Sequence, residues 1–266
     1  MKRQLGVTLL ELLISMALAL SLVAGLGQLF IQSQKSFTLQ RNLSDITDDG
    51  AFILETIAKG LNQAGFSADG STAFPEDKNV LSSGLDFLNV KCADINSQTP
   101  PIGATYDCEI IKGSDETLIY RYRLDSNELN NFICTNSLTG VQNDVISVFL
   151  YRKIDTSGIP VFYCKAKSTT DKNNVAEPLI SQVEKLVFQY GVHNMNNDTY
   201  YYTNAANITD WKNVFAVKIF IVIRSADDNL TREKAKYNIE NTEYTAADNR
   251  LYKVFSKIVF LRSSKH

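Results

Sequence analysis

The sequence predicts an α+β protein: a long N-terminal α-helix with a membrane-spanning first half, packed through its second half against a C-terminal antiparallel β-sheet domain. Three observations carry this. An uncharged apolar stretch from Leu12 to Gln34 follows the basic residues Lys2 and Arg3. Helical periodicity continues beyond it, with Leu39, Leu43, Ile46, Ile53, Ile57 and Leu61 at three-, four- or seven-residue steps. After Phe66 the chain becomes rich in Tyr, Phe, Asn, Ser and Thr, and its period-two segments follow the helix instead of alternating with helices.

Taken in order, residues 1–6 form a short basic leader, and residues 7–34 form the transmembrane half of the helix. At about 1.5 Å per residue, this stretch crosses a hydrocarbon core of roughly 30 Å. The basic residues before it place the N-terminus in the cytoplasm and the bulk of the chain on the far side. Ala17-Leu18-Ala19 offers signal-peptidase spacing, but Glu11 within the apolar run and the unbroken helix beyond it argue against a cleaved signal peptide. Residues 35–65 form the amphipathic half, which ends at Ala64-Gly65-Phe66, where Gly65 suits the left-handed position after a helix. A helix from Val7 to Ala64 is about 87 Å long, too long to lie inside the domain that follows.

Residues 66–266 form the β-rich domain. Glu116–Leu124, Val183–Val192, Phe215–Arg224 and Tyr252–Leu261 alternate as half-buried strands do. Phe215–Arg224 is apolar on both faces and therefore central. Leu85–Cys92, Phe132–Cys134, Val145–Tyr151 and Val161–Cys164 complete the strands. Asp69–Glu76, Asn96–Gly103, Lys167–Val175 and His193–Asp210 read as loops.

The chain has 266 residues, 27 basic against 29 acidic, and a net charge of −2, which offers no basic face to a nucleic acid. It has 2 histidines, His193 and His266, and no catalytic or phosphate-cradling motif, so neither an enzyme nor a cofactor is expected. His193 reads as a loop or strand-end residue. The pairs Asp48-Asp49 and Asp227-Asp228 lack the spaced ligands of a calcium loop and read as solvated surface. Cys92, Cys108, Cys134 and Cys164 all follow the membrane segment, so disulfides are expected in an oxidising compartment. Three connectivities exist; Cys92–Cys108 and Cys134–Cys164 are favoured because each closes a short connection. A zinc site lacks both the Cys-x-x-Cys spacing and a nearby histidine. Tyr200, Tyr201, Tyr202 and Trp211 fit either an aromatic partner surface or ordinary strand packing.

The N-terminus resembles that of the type IV pilins and the pseudopilins of type II secretion. The matching residues are a basic leader ending in Gly6, an apolar Val7 where most members have Phe, then Thr8, Leu9-Leu10 and Glu11 as the fifth residue after the glycine. Gln63-Ala-Gly-Phe66, Val183–Val192 with its Phe188-Gln-Tyr-Gly191, Ile223-Arg-Ser225 and Tyr252–Arg262 extend the similarity to the PilW-type minor pilins. The resemblance implies cleavage by a prepilin peptidase between Gly6 and Val7 and methylation of Val7. The new α-amino cation and Glu11 of a neighbouring subunit would then satisfy one another in an apolar medium. It further implies an inner-membrane protein that moves into a pilus at the cell surface, at or near the tip. There it would prime assembly and support adhesion, twitching motility or DNA uptake. The implied partners are other minor pilins (PilV-, PilX- and FimU-like), the major pilin, a large tip adhesin and, before assembly, membrane lipid. The alternative is a J-type minor pseudopilin of type II secretion.

Overall fold

The structure, a computed structural model, describes residues 9–65, 111–123, 145–168, 176–195 and 197–262. The expected strands Leu85–Cys92 and Phe132–Cys134 and the loops Asp69–Glu76 and Asn96–Gly103 lie outside these residues. The chain divides into two compact units, Met1–Asp45 and Ile46–His266.

Helix α1 runs unbroken from Leu9 to Gln63, 55 residues. In the first unit its apolar side chains, among them Leu10, Leu13, Leu20, Leu26 and Phe30, are exposed around the helix. Three hydroxyls turn back onto the preceding turn. Ser15 donates to the Leu12 carbonyl, Ser21 to Ala17 and Thr38 to Gln34, at 2.8, 2.9 and 3.1 Å. Each of these hydroxyls is thereby satisfied within the helix, which suits a medium without water.

In the second unit Ile46, Ile53, Ile57 and Leu61 recur every four or seven residues and form one fully buried stripe. The helix stops where the Ala64 N–H bonds the Leu61 carbonyl, and Gly65 takes φ 77°, as its position predicts. The Gly65 N–H then donates to the Arg121 carbonyl at 2.8 Å, tying the helix end to the first sheet. Lys257 donates to Glu55 (3.1 Å) and Lys253 to Thr47 (3.0 Å), fastening the C-terminal strand to the same helix.

Eleven strands are seen among the described residues. The first five form one antiparallel meander in sequence order: β1 (Ile111–Gly113), β2 (Thr117–Arg123), β3 (Val145–Ile154), β4 (Pro160–Ser168) and β5 (Glu177–Ser181). Then come β6 (Val183–Asn194), β7 (Thr199–Thr203), β8 (Val214–Arg224), β9 (Lys236–Ile239), β10 (Thr242–Thr245) and β11 (Tyr252–Phe260). A second antiparallel sheet has the order β11-β8-β6-β7, and β9 and β10 form a separate hairpin. The single sheet expected from sequence is thus two sheets and a hairpin.

Between the sheets and the helix lies the main core, with Leu118, Tyr120, Tyr122, Leu150, Phe162, Phe188, Tyr190, Ile219 and Ile221. Strand β2 was expected to be half-buried, yet its second face is covered too. Ile119 and Arg121 are buried there beside Ser147, Phe149 and Lys165. Strand β8 is central, as its composition predicts. Ile219, Ile221 and Ile223 point into the main core, while Phe220 and Val222 meet Ile239 of the hairpin on the outer face. The hairpin turns at Glu240-Asn241 with Glu240 at φ 53°, a conformation that residue seldom adopts. Hydrogen bonds from Lys218 (2.7 Å) and Gln189 to the Glu240 carboxylate hold it there.

The two sheets are joined by one residue. Gln182, at φ 66°, turns the chain from β5 into β6, and Arg224 reads it twice. The Arg224 N–H donates to the Gln182 carbonyl (3.0 Å) and its Nε to the side-chain Oε1 (2.9 Å). Arg224 also lies 3.4 Å from Glu184 and 3.6 Å from Asp248. Burial works against the Asp248 carboxylate. The Tyr252 hydroxyl, the Arg250 N–H and the charges of Arg224 and Arg250 outweigh it and hold that carboxyl below its usual range.

Candidate assembly surfaces

Two surfaces stand out, one in each unit. On the helix, Glu11 lies exposed in the first described turn. No other ionisable residue follows it until Lys35, and the helix is long and apolar enough to cross a membrane. Gly6 and Val7 lie outside the described residues. A single carboxylate at the head of an exposed apolar rod can select a cationic partner in a medium that solvates neither.

The second surface is the open half of the outer face of the four-stranded sheet. The hairpin covers Phe220 and Val222, and beyond it the face is aromatic. Tyr200 and Tyr202 of β7 are 55% and 40% exposed and Phe260 of β11 64%. Phe215 links them: its ring lies edge-on to Tyr200 at 5.4 Å and is stacked with Phe260 at 6.2 Å. Strand β8 bulges at this point: Gly191 pairs with Ala216 and Val192 with Val214, and Phe215 is the extra residue between them. A Cβ on Gly191 would stand 2.9 Å from the Phe215 ring, so the glycine leaves room for it. Sequence reading passed over Phe215 and Phe260 as strand residues. The one signal available was a glycine inside a strand pattern.

The expected loop His193–Asp210 is instead the end of β6, strand β7 and a 3₁₀ turn at Ala205–Asn207, and a second 3₁₀ turn, Trp211–Asn213, follows directly after it. His193 is the penultimate residue of β6, with its Nε2 2.7 Å from Asp198 and its ring stacked on Tyr200 at 4.3 Å. Trp211 does not belong to the exposed surface. It is buried edge-on against Tyr190, ring centres 4.8 Å apart, and so parts company with Tyr200, Tyr201 and Tyr202. Tyr190 is itself buried, its hydroxyl donating to the Ser114 carbonyl at 2.9 Å.

Cys164 is buried on β4 in the main core, while Cys92, Cys108 and Cys134 lie outside the described residues. No cluster of three or more His, Cys, Asp or Glu able to hold a metal occurs among the described residues. The Asp228 carboxylate accepts the Asn229 N–H (2.6 Å) and the Asp227 carbonyl the Ser225 hydroxyl (2.7 Å), as turn residues do.

Comparison with known proteins identifies both ends of the chain. Residues 151–263 match the family Type IV Pilus-assembly protein W, and residues 1–27 match the prokaryotic N-terminal methylation motif. The first of these spans β4 to β11 together with most of the aromatic face. A type IV-like pilin from Thermus thermophilus is similar at 11% identity, over 58% of this chain and 84% of that one, with a TM-score of 0.36. No curated protein matches the chain. A methylation motif at the start of the chain, an exposed apolar helix and antiparallel sheets over which the PilW model matches make the chain similar to the type IV minor pilins of the PilW type.

Proposed function

We propose that this minor pilin is cut by a prepilin peptidase between Gly6 and Val7, methylated on Val7, held in the inner membrane with its N-terminus cytoplasmic, and then placed at or near the pilus tip. Its work there is binding, not catalysis. Helix α1 joins it to the major pilin and to PilV-, PilX- and FimU-like subunits, and the Val7 amine of one chain pairs with Glu11 of another. The tyrosine run and its neighbours contact a partner, and disulfides among Cys92, Cys108, Cys134 and Cys164 brace the domain. Priming of assembly follows, and with it adhesion, twitching motility or DNA uptake.

The observation that carries this reading is the exposed apolar half of α1 with Glu11 at its head. Several kcal/mol are lost when one member of a buried ion pair stands alone, so the pairing enforces axial register. The test compares the intact mass of the chain from sheared surface filaments with that from membranes, in wild type and Glu11→Ala. The expected result is loss of residues 1–6 with one added methyl, and filament recovery that falls at least about tenfold in the variant. Cleavage near Ala19, or equal recovery of both chains, would overturn the reading.

A further inference from the structure

The β9–β10 hairpin keeps a glutamate where its turn favours glycine or asparagine, with Glu240 at φ 53°. A backbone conformation held in spite of its cost points to a task for the side chain. The Glu240 carboxylate stands between two others: its Oε1 accepts from Lys218 Nζ at 2.7 Å, and its Oε2 accepts from Gln189 Nε2. Gln189 of β6 and Lys218 of β8 are direct cross-strand partners, so they lie side by side on the outer face of the second sheet. Gln189 Oε1 is buried and accepts no hydrogen bond among the described residues, an expense that packing alone does not explain. Lys218 Nζ lies over the rings of Phe220 and Tyr202, 4.9 and 5.8 Å from their centres, and its side chain is only 28% exposed.

An amine, an amide, and a carboxylate bonded to the nitrogen of each are the groups that exchange of one amide for another requires. We propose that Lys218 and Gln189 react with each other to form an isopeptide bond, with Glu240 as the proton carrier, so that β6 and β8 are joined covalently. Glu240 takes a proton from the Lys218 ammonium, and the freed lone pair of Nζ adds to Cδ of Gln189. The Cδ–Nε2 bond then breaks with its electron pair remaining on Nε2, which is protonated through the same carboxylate. Ammonia departs and carries the last proton away as ammonium, leaving Glu240 ionised as before. One C–N bond replaces another, and nothing is oxidised or reduced. Shielding of the Gln189 amide from solvent favours attack by the neighbouring amine over hydrolysis.

The proposal stands apart from the pilus reading, because its readout is the covalent state of the purified full-length chain, not filament recovery. Trypsin cuts after Lys185, Lys212 and Arg224, which leaves Gln189 in the peptide Leu186–Lys212 and Lys218 in Asn213–Arg224. The experiment weighs the tryptic peptides of freshly purified, reduced and alkylated chain for wild type, Glu240→Gln and Lys218→Arg, with Trp211 fluorescence verifying beforehand that each is folded. Wild type should yield one branched species, the two peptides joined and lighter by one ammonia, uncut at Lys218. Lys218→Arg should yield none, and Glu240→Gln should lower the branched fraction at least about tenfold by removing the proton carrier. Unlinked peptides alone from folded wild type, a branch between other residues, or an equal yield from Glu240→Gln would overturn the proposal.

Discussion

The hydroxyl of Tyr120 stands against Gly60 where a Cβ would have to go. Tyr120 is buried in the core and stacked with Tyr122 at 6.2 Å, so its ring cannot withdraw. Gly60→Ala should therefore destabilise the domain by about 1–3 kcal/mol, although alanine adds up to about 1 kcal/mol of helix propensity. Thermal unfolding measures the balance. Gly27→Ala, with nothing within 4 Å of the new methyl, should leave the midpoint of the domain unchanged.

Trp211 is the only tryptophan, and it is buried against Tyr190, so its fluorescence reports the state of the second unit. Denaturant should shift its emission to the red in step with the loss of β-sheet signal. Trp211→Ala should cost about 3–5 kcal/mol, and Trp211→Phe clearly less, since a ring would still fill most of the site.

Alkaline stability turns on buried tyrosines. Burial pushes the Tyr120, Tyr122 and Tyr190 hydroxyls well above their ordinary value, with Asp115 adding to the effect on Tyr190. Each phenol ionises more readily in the unfolded chain, so their stabilisation is complete below about pH 10 and fades as pH rises beyond it. Ultraviolet titration should show these tyrosines ionising together with unfolding. Tyr190→Phe should lose about 1–3 kcal/mol at neutral pH by leaving the Ser114 carbonyl unpaired, while reducing the alkaline slope.

At the acid end the same argument runs through Asp248, whose folded carboxyl lies below its usual range. Its stabilisation is present above the unfolded value, about 3.9, and disappears as pH falls through the lower folded one. Asp248→Asn should lower the midpoint at pH 7 and flatten its dependence on pH below about 4. Melting curves across that range measure both effects.

Much of this architecture was legible because the helix and the long strands announce themselves by period. The Ile46-Ile53-Ile57-Leu61 stripe, the two-faced apolarity of β8 and the alternation of β6 each survive into the structure with little change. What escaped is short or breaks a local rule. Pro178 disguises β5, and asparagines on either side disguise β7. The β9–β10 hairpin turns on Glu240-Asn241 instead of the Asn-Gly that such a turn prefers, and only tertiary bonds from Lys218 and Gln189 make that choice workable. Trp211 gave no sign of its burial, because a short 3₁₀ turn has no periodicity to read. Of the two candidate surfaces, the exposed apolar helix carrying Glu11 was plain from sequence. The aromatic face was not, since Phe215 joins Phe260 only after the chain has folded.

The single-residue passage at Gln182 leaves no slack between β5 and β6. Tension applied to the second sheet is therefore delivered to the first through one taut peptide, with the Arg224 clamp across it. Neither layer can be stretched, lengthened by insertion or evolved as a separable module without disturbing the other. In the filament subunit proposed above, such a joint makes the two sheets yield together or not at all.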